Sequence, residues 1–220
     1  MTVLVAAALL LAGCGSSSGG STSATAPQPV VTVNAAAPPS ASGSTSGSTS
    51  GNTSPAKPPR PLARSVPVRL EIPAIGVDTP VVKLGLAADG SVQVPPIEAH
   101  APAGWYQGSP TPGQVGPSVI LAHVTVGQYG DGVFLHLSRL RPGDRIVARL
   151  ADGASAAFTV DRVQTVAKAH FPTSAVYGDV DRPELRLITC GGPRNSDGSG
   201  YLDNVVVYAS LAAPAAGTTH

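Results

Sequence analysis

The chain has 220 residues, a formal net charge of +1 and 12% charged residues, so neither nucleic acid nor an anionic membrane surface is favoured as a partner. Up to about Pro61 it is Ser, Thr, Gly, Ala and Pro almost without charge, whereas every Trp, Tyr and Phe lies further on. The later part, on the order of 145 residues, suits one domain.

Val3 to Leu11 is an apolar run of about ten residues, too short for a membrane-spanning helix but suited to the apolar region of a signal peptide. It leads into Leu11-Ala12-Gly13-Cys14, which resembles the lipobox of bacterial lipoproteins. The resemblance implies a diacylglyceryl group on the sulfur of Cys14 and cleavage that leaves Cys14 as the first residue. The protein is then expected to be exported and held by lipid on the outer face of the cytoplasmic membrane, its domain extracellular.

Residues 1–14 are thus expected to be a lipoprotein signal peptide, and residues 15–64 a disordered linker rich in Ser, Thr, Gly, Pro and Ala. Such a composition cannot bury enough apolar area to offset its ordering entropy. As a flexible coil it reaches roughly 40 Å on average. A lipidated Cys14 also leaves Cys190 without an intramolecular partner, because the chain has two cysteines. An unpaired thiol outside the cell is either buried or reactive.

Residues 65–210 read as strands. Arg69 to Ile72 alternates and stops at Pro73, Val77 to Leu84 is extended, and Ser91 to Val94 ends at Pro95-Pro96. Ser118 to Val124 is a short, nearly continuous apolar run, as in a buried strand. Asp144 to Leu150 and Ala156 to Val166 alternate around the turn signal Asp152-Gly153. Leu185 to Cys190 and Asn204 to Ala209 complete about eight strands. The best helix signal is Val133 to Leu140, ending before Pro142-Gly143. This pattern predicts an all-β, closed or nearly closed antiparallel barrel with one or two short helices. Residues 211–220 are expected to form a disordered tail.

A cysteine nucleophile needs a group that makes its thiolate and a proton donor for the leaving amine, and histidine supplies both. Of five histidines, His220 is terminal, His100 lies in a Pro-flanked loop, and His136 and His170 lie in segments suited to exposure. His123 ends an apolar strand on the face of Val119 and Leu121, and Cys190 ends another on the face of Ile188. Two reactive residues at the ends of two buried strands make a site geometry. Asp131, Asp144, Asp152 and Asp161 are scattered without metal-ligand spacing, so no metal or other cofactor is expected.

The body resembles a sortase, and most closely the actinobacterial group called class F. Leu70-Glu71-Ile72-Pro73-Ala74-Ile75-Gly76-Val77 resembles the family's opening strand pair. Gly104-Trp105-Tyr106 and Gly116-Pro117 lead into the histidine strand, followed by Gly132-Val133-Phe134 and Leu140-Arg141-Pro142-Gly143-Asp144. Phe171-Pro172-Thr173 and Val176-Tyr177-Gly178 precede Leu187-Ile188-Thr189-Cys190-Gly191-Gly192. Tyr201 with Asp203-Asn204-Val205-Val206-Val207 resembles the closing strand.

The resemblance implies an eight-stranded sortase-type barrel and a Cys–His–Arg site. It implies that Cys190 attacks the Thr carbonyl of a C-terminal sorting signal of the Leu-Pro-x-Thr-Gly type on a surface protein. A thioester forms, His123 protonates the leaving Gly amine, and a peptidoglycan-precursor or other amine resolves the intermediate.

This chain departs from the family at two positions. Ala122 stands where many relatives have Gly, and Leu202 stands where many class F relatives have a catalytic Arg. Arg194 is the expected substitute. Arg186 shares the face of Cys190 but lies about 13 Å away along the strand. Asn195 and Asn204 are neutral candidates for the same task.

Two other classes compete. An L,D-transpeptidase carries its His and Cys within one short segment, unlike His123 and Cys190. A catalytically impaired, sortase-like lipoprotein serving as a cell-envelope binding module is favoured by Leu202 alone.

Overall fold

The computed structural model describes residues 59–213 apart from Ser199. The expected signal peptide, Cys14, the linker up to residue 58 and the tail from residue 214 lie outside the described residues.

Eight strands are present: β1 (Pro67–Ile72), β2 (Val77–Leu84), β3 (Ala103–Tyr106), β4 (Gly116–Leu121), β5 (Arg145–Leu150), β6 (Ser155–Ala167), β7 (Pro183–Arg194) and β8 (Tyr201–Leu211). They close a barrel in the order β1-β2-β3-β4-β7-β8-β6-β5. Leu70, Ile72, Trp105, Ile120, Phe134, Phe158, Leu185 and Leu187 fill its interior. Fully burying such a side chain stabilises the fold by about 1.5–3 kcal/mol.

The barrel is not wholly antiparallel. β2 pairs in parallel with β3, and β4 with β7. Parallel neighbours need a long crossover, so residues 85–102 must loop from the end of β2 back to the start of β3. Period-two patterning carries no information about strand direction, which explains the wrong expectation.

Three local expectations also change. Ser91 to Val94 forms no strand, only an isolated bridge between Val92 and Leu86. Pro95 and Pro96 offer no N–H to extend a ladder. The missing strand is β3, only four residues long and buried at Ala103, Gly104 and Trp105, so it shows no alternation.

The segment Val133 to Leu140 holds only a 3₁₀ turn at Leu137–Arg139. Its Phe134 N–H is already bonded to the His123 carbonyl. The α-helix among the described residues is α1 (Thr173–Tyr177), and it has no side-chain cap by which sequence reading finds a helix. Finally, β7 continues to Arg194, so Cys190 lies within its strand and not at its end.

The ordered chain begins before residue 65. Leu62 donates its N–H to the Gly113 carbonyl at 2.8 Å, and its side chain packs on the core. Leu62 therefore docks near the start of β4, whereas Cys190 lies beyond the last residues that β4 pairs with β7.

Candidate active site

β4 and β7 run in parallel register from Gly116 opposite Pro183 to Leu121 opposite Ile188. Strands covered on both faces read as continuous apolar runs, which is the form of Val119 to Leu121, while β7 departs from it at Arg186. Ile120, Leu185 and Leu187 face the interior. Val119 and Ile188 face outward, into a second cluster with Val176, Val206 and Tyr208. His123 and Cys190 each stand two residues beyond the last paired residues, so alternation carries both to the outer face. They line one cavity of about 240 Å³ with Leu121, Ile188 and Asn204.

The backbone around the pair is tied together from inside. Thr189 Oγ1 donates to the Ala122 carbonyl at 2.7 Å, and the Ala122 N–H donates to the Ile188 carbonyl at 3.2 Å. The first ties the residue before Cys190 to the residue before His123, and the second ties Ala122 to Ile188. Gly132 packs so closely that any Cβ there would overlap the His123 carbonyl. A Cβ on Gly191 would come within 2.7 Å of Val205 Cγ2. Gly192 adopts a left-handed φ of +71°, beside the Asp203 carboxylate, where a side chain would be strained and would clash.

The crossover that parallel pairing requires becomes a wall of the site. Ser91, Val92, Val94 and Pro95 line the cavity opposite Leu121 and Ile188. His123 Nε2 lies 2.7 Å from the Pro95 carbonyl oxygen. A carbonyl only accepts, so Nε2 carries the hydrogen and donates it. Gln93 braces the crossover through its side chain, which accepts from the Gly85 N–H at 2.8 Å.

The remaining wall comes from Phe171, two residues before α1, and Tyr177, its last residue. The Tyr177 ring stands edge-on to Tyr106 with centroids 6.4 Å apart, and 6.2 Å from Phe171. Burial, and secondarily Tyr106, pushes the Tyr177 phenol above its ordinary range.

Cys190 is free and half-buried, directly opposite Asn204 of β8. Beyond a register shift after Gly191, Arg194 pairs with Tyr201. Its Nη2 donates to the Tyr201 hydroxyl at 3.1 Å, and its guanidinium lies 4.8 Å from that ring's centroid. Arg194 and Tyr201 line a second cavity, of about 300 Å³, that also reaches Cys190 and His123. Leu202 is half exposed, at 50%.

Arg186 lines neither cavity; it is buried against Glu184 and the backbone carbonyl of Ala175. Asn195 closes the β7–β8 turn through backbone bonds with Gly198 and Gly200. His100, His136 and His170 line no cavity with Cys190. Among the described residues no group of three or more His, Cys, Asp or Glu could hold a metal ion.

The arrangement offers a thiol and an imidazole on one face, a neutral amide opposite the thiol and a guanidinium that lines a second cavity with both. It suits acyl transfer through a thioester. Sequence reading assigned no role to Pro95, Phe171, Tyr177 or Thr189. Pro95 showed only as a strand breaker, and the others only as motif members.

A sortase domain model matches residues 70–212. No curated sequence matches the chain. Among solved structures, a lid mutant of sortase A from Corynebacterium diphtheriae is 20% identical, with a TM-score of 0.51 over 70% of this chain and 73% of that one. Sortase C from Streptococcus pneumoniae is 22% identical, with a TM-score of 0.50 over 68% of this chain and 67% of that one. At such identities the likeness is one of fold.

Proposed function

The chain belongs to the sortase family, and on that premise we propose that it is a cysteine transpeptidase in which Cys190 is the nucleophile and His123 the proton carrier. The observation that carries this reading is the shared outer face of β4 and β7, where Cys190 and His123 line one cavity. The thiolate of Cys190 attacks the Thr carbonyl carbon of a Leu-Pro-x-Thr-Gly-like signal. The C–N bond to Gly breaks, and His123 gives its proton to the leaving amine. An incoming amine then attacks the thioester carbonyl and loses a proton to His123, and the Cys190 sulfur departs. His123 is acid in the first half and base in the second.

Arg194 supplies the charge that stabilises the oxyanion, in place of the arginine absent at Leu202. Its support is the second cavity, which it lines together with Cys190 and His123. The motifs of the chain favour class F and a Gram-positive actinobacterial source. The substrates are surface proteins with a C-terminal sorting signal, and the acceptor is an amine of a peptidoglycan precursor or of another protein. The lipobox-like Cys14 anchors the enzyme on the outer face of the membrane, with the linker as spacer.

The test is cleavage of a sorting-signal peptide by the wild-type protein and by Cys190→Ala. Cleavage is expected to vanish in the variant while its circular dichroism stays unchanged; cleavage persisting there would refute the assignment. Half-exposed Leu202 favours one second reading, an impaired sortase-like lipoprotein acting as a binding module. That reading requires Cys190 to resist iodoacetamide in the native protein and to react only after denaturation.

A further inference from the structure

Two charged side chains, Glu184 and Arg186, interrupt the outer face of β7, and both are buried, at 5% and 3% exposure. A buried ion pair does not offset its own desolvation unless further bonds complete it. Those further bonds therefore indicate what the pair is for. Arg186 Nη2 donates to Glu184 Oε2 at 2.5 Å, and Arg182 reaches Oε1 of the same carboxylate at 2.5 Å. Arg186 Nη1 donates to the Leu185 carbonyl, and its Nε to the Ala175 carbonyl, each at 3.3 Å. Its guanidinium also stacks 4.6 Å from the centroid of the Tyr208 ring.

Ala175 is the middle residue of α1. A five-residue helix lies far below the roughly 12–15 residues at which an isolated helix is even marginal. Its first turn holds no acidic residue and no side-chain cap. The last carbonyls of any helix also lack partners within it. Tertiary contact must hold α1 in place. Val176, fully buried in the outer cluster, is one tie, and Arg186 on the Ala175 carbonyl is another.

What α1 carries is the wall of the groove. Phe171 and Tyr177 line the cavity of Cys190 and His123, and they also line a larger one of about 600 Å³ with Tyr106, Val119 and Thr173. The two cavities share these side chains, so a displacement of α1 reshapes both at once.

We propose that Arg186 is a positioning residue that fixes the α1 wall through the Ala175 carbonyl and so sets how tightly the groove holds an acyl-donor peptide. The proposal rests on the transpeptidase reading above. It separates binding from chemistry, because Arg186 lines none of the three cavities that Cys190 lines.

The experiment compares the wild type with Arg186→Met, Arg186→Lys and the double variant Glu184→Gln/Arg186→Met. The double variant guards against misfolding caused by a carboxylate left short of a partner. KM and kcat are measured with a Leu-Pro-x-Thr-Gly peptide, Cys190 alkylation with iodoacetamide, and amide exchange across residues 171–178. Arg186→Met is expected to raise KM about ten- to a hundredfold with kcat and alkylation each within about threefold of wild type. Exchange across α1 is expected to quicken at least about tenfold. Arg186→Lys, which keeps the charge but only one donor nitrogen in place of three, is expected to fall between.

A fall in kcat with KM unchanged overturns the proposal. So does unchanged exchange in a folded variant, or unfolding of the barrel in both the single and the double variant. A wild-type protein that turns over no peptide contradicts the transpeptidase reading instead. The exchange comparison then decides the role of Arg186 alone, quicker exchange supporting it and unchanged exchange overturning it.

Discussion

On its N-terminal side Cys190 follows a locked segment; on its C-terminal side it opens into an exposed hairpin. Before it, Thr189 and Ile188 are bonded to the residue that precedes His123, in the parallel register of β4 and β7. After it, the pairing shifts register at Gly191, and Arg194 is exposed, held by the Tyr201 hydroxyl and ring. The thiol and the imidazole are therefore set by backbone bonds between two buried strands. The guanidinium is set by side-chain contacts at the exposed end of β7. A donor at such an exposed strand end can change its sequence position without disturbing the pair, which is consistent with the proposal that Arg194 serves where Leu202 offers no donor.

The contrast is broken most severely on the hairpin side. Arg194→Ala is expected to lower kcat for a sorting-signal peptide by about 10²–10³-fold, the usual worth of one oxyanion donor. Leu202→Ala is expected to change it by less than about threefold, since Leu202 carries no donor. Adding Leu202→Arg to Arg194→Ala is expected to restore part of the loss. Equal losses at both positions in steady-state kinetics would remove the distinction between them.

On the locked side the expected effect is one of stability. Thr189→Val keeps the shape but removes the hydroxyl bonded to Ala122, leaving a buried carbonyl short of a partner. The cost is expected to be about 1–3 kcal/mol in urea denaturation. A variant as stable as the wild type would show that strand pairing alone aligns Cys190 with His123.

The smallest effect concerns pH. The Tyr177 phenol is raised above its ordinary range by burial, so folding favours its neutral form. Its stability contribution is complete below the ordinary phenol range and is lost as pH rises through the raised value. Ultraviolet titration is expected to show a late phase above the ordinary phenol range that Tyr177→Phe diminishes. Titration of every tyrosine in the ordinary range would mean that the wall stands open in solution.

Much of the barrel was legible because its strands either alternate or form short apolar runs. The shared face of His123 and Cys190 followed from period two counted from Leu121 and Ile188. What stayed hidden was non-local. β3 is too short and too buried to alternate, and an apolar run does not say which strand lies beside it. For that reason the crossover from residue 85 to residue 102, which brings Pro95 to His123, could not be foreseen as a wall. The helix α1 lacked every local helix signal because its support comes from Val176 and Arg186. Arg186 looked like a distant understudy for the missing arginine, whereas it is buried with Glu184 and bonded to α1.

The central claim is that Cys190 forms a covalent acyl intermediate. Its most direct test is intact-protein and peptide-level mass spectrometry after incubation with a library of sorting-motif peptides and no added amine. A mass increase equal to the acyl portion up to Thr is expected, mapped to Cys190 and reversed by an added amine. A protein that cleaves the peptides with no adduct on Cys190, or that carries the acyl group on another residue, would contradict it.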